Sequence, residues 1–555
     1  MAKELLNKVE GLVGKYLYSN LIEALTDAVK VSNVKAVYNY PGRPATYLVD
    51  SVRKKYPEID VQDYLPNEFV AAAKGFGSSV AGCERSLVIF KDVGSNVACD
   101  HFYCLNHIGI NRGLVFFISD DPSAWASQNE EDSRGLYFNA GLPILEPNDP
   151  YSAFYSLVSA YEFSEIFRLP FFVRTTGRAI AEKYDPQKND FNSYKLPFAG
   201  DIIDIPFDAK DKWKSIFATV EEDREELALK QKQIMSAFEE SGLNVIKGKG
   251  KLGIIASGFP ATQLENEHLI DEISLLKLVT LYPLPEKTII DFIKDKDRVL
   301  VVDQGEPLLE LLVRDCAQRN AYVNPILGKL NGFVRKVGEL RDEDLKISVN
   351  ALKNNKYPGT FPKHKQIARA PAFDEKDSFK IMLECLREAV KTVGCRPLYC
   401  GDAGQSSRVP ETPAINDLLH METTMGCSVS YLSGGIEAYQ RTGTKVPFKG
   451  IAYVGDSDFF HSAFPGICEA ASKDHPILML VVDNQGAVST GKQPHLGMKI
   501  KSEIKELSIG RILESIDVNY IQEANVKDKK DLIEKLITGL KSEHFYVVIV
   551  HVIAS

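Results

Sequence analysis

Residues 455–494 read GDSDFFHSAFPGICEAASKDHPILMLVVDNQGAVSTGKQP. The run GIAYV just before this stretch and the run ILMLVV inside it are short and apolar, which predicts two buried strands. An amphipathic segment of helical length separates them, so the pattern predicts one parallel strand–helix–strand unit. Asp456 follows the first strand, and Asn484 follows the second. Because the carboxyl ends of parallel strands meet at one edge of a sheet, these side chains are expected to lie together.

The same alternation of apolar runs and helical patterns extends along the 555 residues. It is typical of α/β proteins, and it predicts several three-layer domains with parallel sheets. A charged helical segment and a polar stretch rich in lysine and proline divide the chain. We expect a first domain at 1–205, a helical linker at 206–245, a smaller α/β domain at 246–345, a linker at 346–372 and a last domain at 373–555.

The composition excludes several classes of function. A formal charge of -9 argues against a nucleic acid as the main partner. No apolar run approaches the roughly 20 residues of a membrane helix, and the charged start lacks the core of a secretory signal. The nine cysteines form no C-x-x-C pair, so buried reduced thiols are expected rather than a metal or iron–sulfur site. We therefore expect a cytoplasmic protein that needs no membrane.

The edge that carries Asp456 and Asn484 suits a magnesium ion that holds a diphosphate. Carboxylate and amide oxygens, completed by a backbone carbonyl near Gly486 and by phosphate oxygens, form the octahedral set that Mg²⁺ prefers. Gly455 allows close approach of a ligand, and the backbone N–H near Ser457 suits a phosphate. The alternative is purely structural: Asp456 caps a helix and Asn484 forms a turn.

This arrangement resembles the thiamine diphosphate motif, in which Gly-Asp-Gly or Gly-Asp-Ser is followed some way on by Asn. Enzymes with that motif hold the aminopyrimidine ring in a second domain, usually with a glutamate. Glu68 opens a helix in LPNEFVAAAKGFGSSVAG and would contact N1′ of the pyrimidine. The alternative for Glu68 is a carboxylate that stabilises the first turn of the helix.

The chain as a whole resembles the large (α) subunit of indolepyruvate ferredoxin oxidoreductase, within the 2-oxoacid:ferredoxin oxidoreductases. The matching segments occur in family order along nearly the whole chain: YPGRPA, NEFVAAAKGFGSSVAG, FKDVGSNVACD, ISDDPSAWASQNEEDSR, METTMGCSVS and GDSDFFHSAF. The resemblance implies two thiamine diphosphate-binding-type domains on either side of a transketolase C-terminal-like domain. It also implies thiamine diphosphate and Mg²⁺ as cofactors, and 2-oxo acids as substrates.

The resemblance assigns roles to individual residues. Glu68 is the expected pyrimidine contact, and Asp456, Asn484 and Gly486 are the expected metal ligands. The remaining cofactor contacts are expected at Asn96, Gly401, Asp402, Met425, Gly426, Gly455 and Ser457. The substrate contacts are expected at Asp92, Gln128 and Asn129.

The chain departs from the family at the positions that carry electrons. The cysteine-rich stretch that opens the diphosphate domain reads ARAPAFDEKD here, Gln405 stands where the family has a cysteine, and the chain ends at HVIAS where a ferredoxin-like module is expected. Asp92 stands where the family has a histidine. Cluster ligation needs thiolates at fixed positions. We therefore expect no iron–sulfur cluster in this chain.

These departures lead to three hypotheses. The main one is a non-oxidative decarboxylase or lyase for an aryl- or alkyl-pyruvate, in which the enamine is protonated or added to a second carbonyl. The first choices for the acid are His461 and His495, and the other candidates are His101, His107, Asp92 and Glu130. The second hypothesis is an oxidoreductase subunit that passes electrons to a partner chain, and the third is a non-catalytic scaffold. By resemblance we expect a homodimer, with a smaller subunit as a further partner.

Overall fold

The structure is a computed structural model that describes residues 18–123, 125, 127, 129–185, 213–266, 273–364 and 372–552. It divides into two compact units. One consists of Met1–Asp63 and Glu68–Gln366, and the other of Tyr64–Asn67 and Ile367–Ser555. The finer domain boundaries drawn from the sequence stay predictions. None of the described helices is long and apolar enough to cross a membrane.

The first unit contains two sheets. Their strands are β1 (Ala36–Asn39), β2 (Asp60–Gln62), β3 (Ser86–Lys91), β4 (Leu114–Asp120), β5 (Ile144–Leu145), β6 (Phe171–Thr176), β7 (Val245–Lys247), β8 (Leu252–Ser257), β9 (Ile273–Leu278), β10 (Thr280–Tyr282), β11 (Arg298–Val302) and β12 (Ile326–Leu327). The first sheet has the order β10-β5-β6-β4-β3-β1-β2, and the second has the order β12-β11-β8-β9-β7. The predicted α/β class is confirmed, but β10 pairs antiparallel with β5, and β7 pairs antiparallel with β9.

The helices of the first unit cover the two sheets. They are Leu21–Val31, Thr46–Lys55, Glu68–Val80, Asp92–Val97, Cys99–Ile108, Arg134–Ala140, Pro150–Phe167, Gly177–Ala181, Val220–Glu240, Phe259–Asn266, Glu286–Ile293, Leu308–Arg319 and Asp342–Asn354, with a 3₁₀ turn at Phe217–Thr219. Strands β3, β4 and β6 are buried at every position, as expected for central strands covered on both faces. The segment predicted as a helical linker contains Val220–Glu240, whose Leu227, Ile234 and Phe238 pack into the core of the first sheet.

Buried charges join the two sheets of the first unit. Arg134 and Arg174 are both fully buried. Arg134 pairs with Glu146 at 3.3 Å and with Asp303, which follows β11, at 3.2 Å. Arg174 donates to Asp120 at 2.8 Å and also pairs with Glu146. Because each charge has a partner of opposite sign, the interior avoids the penalty of an isolated buried ion.

The described part of the second unit contains one sheet, which is parallel throughout. Its strands are β13 (Pro397–Gly401), β14 (Met421–Glu422), β15 (Lys449–Gly455), β16 (Ile477–Asp483), β17 (Tyr520–Asn525) and β18 (Tyr546–His551). Their order is β14-β13-β15-β16-β18-β17. The helices are Ser378–Val393, Ser428–Arg441, Asp456–Asp458, Phe464–Ser472, Ile509–Ser515 and Lys529–Lys541; a π-helical turn spans Phe459–Ala463, and 3₁₀ turns span Ser406–Arg408, Asn416–Leu418 and Val488–Thr490.

Candidate active site

Asp456 and Asn484 lie at one edge of the sheet of the second unit, as the sequence predicts. Asp456 follows β15 directly, and Asn484 follows β16. The two strands are parallel neighbours, with Gly455 in register with Val482. Both side chains are buried, with 1% of Asp456 and 8% of Asn484 exposed. The edge is the carboxyl end of a parallel sheet, where open α/β folds bind their ligands.

The backbone fixes the Asp456 carboxylate in place. Its Oδ1 accepts the Ser457 N–H at 2.8 Å. Its Oδ2 accepts the N–H groups of Asn484 at 3.1 Å and Gly486 at 3.3 Å. The Ser457 N–H is therefore directed at Asp456 rather than left for a phosphate. Among the described residues, no group hydrogen-bonds the buried Oδ1 of Asn484. A fixed carboxylate and an unsatisfied amide oxygen at the ends of two neighbouring parallel strands fit a hard cation such as Mg²⁺.

Two further buried carboxyl groups lie at this edge. Asp402 follows β13, and its Oδ1 accepts the Ser428 N–H at 2.8 Å, while burial raises its pKa to about 6. Asp458 accepts the Gly455 N–H at 3.1 Å. Burial, with Asp402 and Asp456 nearby, raises the pKa of Asp458 well above its ordinary range. Asp458 was not among the predicted residues, although the pattern Asp-Ser-Asp after a strand is visible in the sequence.

The structure gives a second reason for glycine at position 455, and the predicted contact with a ligand stays a prediction. A Cβ at this position would lie 2.5 Å from Oδ2 of Asp458. The absence of a side chain therefore makes room for a neighbouring carboxyl group of the same chain, in addition to any ligand. The glycine and Asp458 form one local structure at the end of β15.

The loop before helix Ser428–Arg441 packs against the π-helical turn. Gly426 has φ +83°, and a Cβ there would lie 2.5 Å from the backbone N of Ala463. Met425 beside it is half-buried. His461 lies in this turn and is 7% exposed, and its Nδ1 is 2.6 Å from the Ser462 hydroxyl. The Asn67 amide donates to the His461 carbonyl at 3.1 Å. π-Helical turns occur often at functional sites.

His495 lies against the Asp456 carboxylate. Its Nδ1 accepts the Gly497 N–H at 3.1 Å, so the neutral ring carries its proton on Nε2. That nitrogen lies 3.0 Å from Oδ2 of Asp456, outside hydrogen-bond direction. The predicted acid thus lies beside a predicted metal ligand.

Glu68 is the first residue of its helix and is 4% exposed. Gly94 lies directly against it, because a Cβ on Gly94 would come within 2.5 Å of Cγ and 2.7 Å of Oε1 of Glu68. Gly94 belongs to the short helix Asp92–Val97, which follows β3. The spatial neighbour that confines Glu68 is therefore a glycine in a separate element.

The residues predicted to line the pocket of the first unit are arranged in two groups. Asp92 is fully buried, and burial with Asp120 nearby raises its pKa to about 8. Asn96 and Asn129 are exposed, and both donate to the Glu131 carboxylate. Gln128 lies outside the described residues.

The other candidate acids of the first unit have different surroundings. His101 packs its ring edge-on against Phe69 and Phe76, and burial lowers its pKa. His107 is half-buried near the end of the same helix, Cys99–Ile108. The Glu130 carboxylate accepts the Gly338 N–H at 2.8 Å, so it is hydrogen-bonded to the segment that follows strand β12.

Known proteins resemble both the last domain and the whole chain. Residues 402–550 match the family model described as thiamine pyrophosphate enzyme, C-terminal TPP binding domain. The chain is 27% identical to indolepyruvate oxidoreductase subunit IorA of Methanothermobacter thermautotrophicus, over 95% of this chain and 85% of that protein. It is 28% identical to the subunit of the same name from Pyrococcus abyssi, over 95% of this chain and 84% of that protein.

Among solved structures, a 2-oxoglutarate:ferredoxin oxidoreductase from Magnetococcus marinus matches 60% of this chain and 64% of its own, with 16% identity and a TM-score of 0.45. That score is too low to support an argument about function. The sequence comparisons confirm the predicted resemblance. Along nearly its whole length the chain is similar to indolepyruvate oxidoreductase subunit IorA, and its last domain matches a thiamine pyrophosphate-binding domain.

Proposed function

We propose that this chain is the thiamine diphosphate-binding catalytic subunit of a 2-oxo acid oxidoreductase of the indolepyruvate type. The observation that carries the proposal is the sheet edge at Asp456 and Asn484: the fixed Asp456 carboxylate accepts the backbone N–H of Asn484, and no described group hydrogen-bonds the buried Asn484 Oδ1. The relatives named above support the oxidoreductase reading better than the non-oxidative reading that we favoured from the sequence.

Each residue has a distinct part in this proposal. Asp456 and Asn484 would hold Mg²⁺ and a diphosphate, with a backbone carbonyl near Gly486 as a further ligand from the protein. Glu68 would hydrogen-bond the pyrimidine N1′, where its carboxyl group would favour the imino form of the ring. The bound cofactor supplies the electron sink for decarboxylation of a 2-oxo acid.

Burial makes Glu68 and Asp456 effective in these roles. Water is excluded from both carboxylates, so each acts in a medium of low dielectric constant, where its charge interacts more strongly with a ligand. Gly94 confines the Glu68 side chain, and backbone N–H groups confine Asp456. Neither side chain has to be ordered when the ligand binds.

The electrons then leave through a partner chain that carries the redox centre. The basis is that the nine cysteines form no C-x-x-C pair, and Gln405 stands at a position where the resembled family has a cysteine. Free thiols also support a reducing, cytoplasmic location. A homodimer is part of the same proposal, by analogy with the resemblance.

Gln405 also favours a second candidate function, the non-oxidative release of an aldehyde. Without a cluster in the same chain, protonation competes with electron transfer. His461, which is buried in the π-helical turn, is the candidate acid of the second unit.

The experiment that tests the proposal measures the release of CO₂ and aldehyde and the reduction of an electron acceptor. The purified chain is incubated with thiamine diphosphate, Mg²⁺ and a panel of arylpyruvates and alkylpyruvates, with and without a one-electron acceptor dye. Acceptor-dependent CO₂ release supports the oxidoreductase, and aldehyde formed without an acceptor supports the second candidate. Asp456→Ala and Glu68→Gln should abolish both products, whereas Asp149→Asn, a buried helix cap elsewhere, is the control. Thiamine diphosphate binding that is undetectable by calorimetry would contradict both functions.

A further inference from the structure

Asp92 links two segments at the carboxyl edge of the first sheet. It follows β3 directly, and its side chain is fully buried. Its Oδ1 accepts the N–H of Val93 in its own helix at 2.8 Å. Its Oδ2 accepts the N–H of Asp121 at 2.8 Å, just after the neighbouring strand β4. One carboxyl group therefore ties the start of helix Asp92–Val97 to the start of the next loop.

Asp121 continues the connection into that loop. Its Oδ1 accepts the Trp125 N–H at 2.8 Å, and its Oδ2 accepts the Ser127 hydroxyl at 2.9 Å. The Lys91 ammonium lies 3.9 Å from the same Oδ2. Asp121 itself is 2% exposed, whereas the Trp125 side chain is 38% exposed. A buried carboxylate thus holds a turn that presents an indole ring at the surface of the first unit.

The position of this turn gives it a functional context. Strands β3 and β4 are parallel neighbours, so Asp92 and Asp121 occur at the edge where open α/β sheets bind ligands. The helix that begins at Asp92 carries Gly94, which lies against Glu68. The helix that carries Gly94 is therefore linked to Trp125 through the hydrogen bonds of two buried carboxyl groups, those of Asp92 and Asp121.

We propose that Asp92 and Asp121 are positioning residues that fix Trp125 and Ser127 at the same sheet edge as the helix that confines Glu68, and that the loop carrying them determines the affinity for the 2-oxo acid. The proposal deepens the proposed function and rests on it for the identity of the substrate class. Neither carboxylate touches the reacting atoms in this role. Each acts through the backbone and side-chain groups that it holds, in the way that supporting residues preorganise a site.

The two tryptophans of the chain make the turn observable without any turnover. Trp213→Phe leaves Trp125 as the only indole, and time-resolved fluorescence anisotropy then reports the order of the turn. In this background we expect Asp121→Ala to lower the residual anisotropy of Trp125, because the Trp125 N–H and the Ser127 hydroxyl lose their acceptor. Asp121→Asn keeps one acceptor oxygen and should restore part of the signal.

Asp149 provides a matched control in the same unit. It is buried, and its carboxylate accepts the Ser152 N–H at 2.8 Å at the start of helix Pro150–Phe167. Asp149→Ala should destabilise the first unit without changing the anisotropy of Trp125. Asp92→Ala should lower the anisotropy as Asp121→Ala does, because the Asp121 N–H loses its acceptor.

The kinetic arm separates positioning from chemistry. Asp121→Ala should raise KM for the 2-oxo acid by roughly three- to tenfold, in line with one or two lost hydrogen bonds, and leave kcat nearly unchanged. Unchanged Trp125 anisotropy in Asp121→Ala would overturn the positioning role, whatever the activity. A lowered anisotropy with unchanged KM would overturn the link to substrate affinity. A parent chain that shows no turnover but a responsive Trp125 would instead overturn the proposed function.

Discussion

At the residue scale, the absence of a side chain at Gly94 leaves space for Glu68. A methyl group at this position would overlap Cγ and Oε1 of the glutamate at 2.5 and 2.7 Å. Since Glu68 is buried, its carboxyl group has little room to move aside. The position of the Glu68 carboxyl group therefore depends on position 94 being a glycine.

Gly94→Ala should weaken thiamine diphosphate binding at least tenfold, because the displaced carboxyl group can no longer meet the pyrimidine. The matched control is Gly77→Ala in the helix that Glu68 opens, where an added Cβ meets nothing within 4 Å. That control should bind the cofactor normally and gain roughly 0.5–1 kcal/mol of stability from better helix propensity. Isothermal titration calorimetry with saturating Mg²⁺ measures both variants. Equal affinities would show that Gly94 does not confine Glu68.

At the element scale, the π-helical turn Phe459–Ala463 requires a glycine across from it. The added Cβ of Gly426→Ala would meet backbone atoms of Ser462 and Ala463 at 2.5 Å, and φ +83° strains any L side chain. We expect this variant to lose about 2–4 kcal/mol of stability, from overpacking and strain together. Gly434→Ala in helix Ser428–Arg441 meets nothing within 4 Å and is the control. Urea unfolding followed by circular dichroism measures the difference. An equal loss of stability in both variants would show that position 426 is not specially strained by a side chain.

A second element, β15, begins with Lys449, whose burial in the folded protein disfavours its charged form. Burial lowers the pKa of Lys449 from 10.5 to about 8, although its ammonium donates to the Ser542 carbonyl at 2.6 Å. Between pH 8 and 10.5 the unfolded chain binds more protons at this position than the folded chain does. Stability attributable to Lys449 should therefore rise with pH through this window.

Lys449→Met should remove that rise. The comparison is the urea midpoint at pH 8 and at pH 10 for the parent, for Lys449→Met and for Lys445→Met, in which an exposed lysine is replaced. The parent and the Lys445 variant should show the same increase with pH, and the Lys449 variant a smaller one. An identical pH dependence in all three proteins would rule out a desolvated ammonium at position 449.

The residues that follow each strand could be predicted from the sequence, whereas the residues of other segments that pack against them could not. Asp456 and Asn484 follow two apolar runs, and the parallel rule places them at one edge. Gly94 and Asp121 were not predicted as parts of the Glu68 pocket, because nothing in the local pattern of one segment indicates which residue of another segment packs against it. Asp458 was missed although its contact with the Gly455 N–H is local, because the sequence pattern does not show that the side chain is buried.

At the scale of the whole first unit, buried arginines pair with buried carboxylates in the first sheet, and Arg134 also pairs with Asp303 after strand β11 of the second sheet. Arg174→Met would leave the carboxylates of Asp120 and Glu146 without one cation, and we expect it to lower the free energy of unfolding by about 3–5 kcal/mol. Arg319→Met removes ion pairs of a half-exposed arginine with Glu286 and Asp315 and should lower it by at most about 1 kcal/mol. Denaturant titration distinguishes them. Similar losses of unfolding free energy in the two variants would show that the buried ion pairs stabilise the protein no more than the exposed ones.

The antiparallel pairing of β10 with β5 has a consequence for the order of biosynthesis. The edge of the first sheet is completed by Thr280–Tyr282, and Arg134 finds its partner Asp303 still later in the chain. A nascent polypeptide that has left the ribosome only as far as β8 therefore carries an unpaired sheet edge and an arginine without all its partners. Such an intermediate exposes a template for wrong pairing. We therefore expect the early nascent chain to need chaperone protection until the second sheet has emerged.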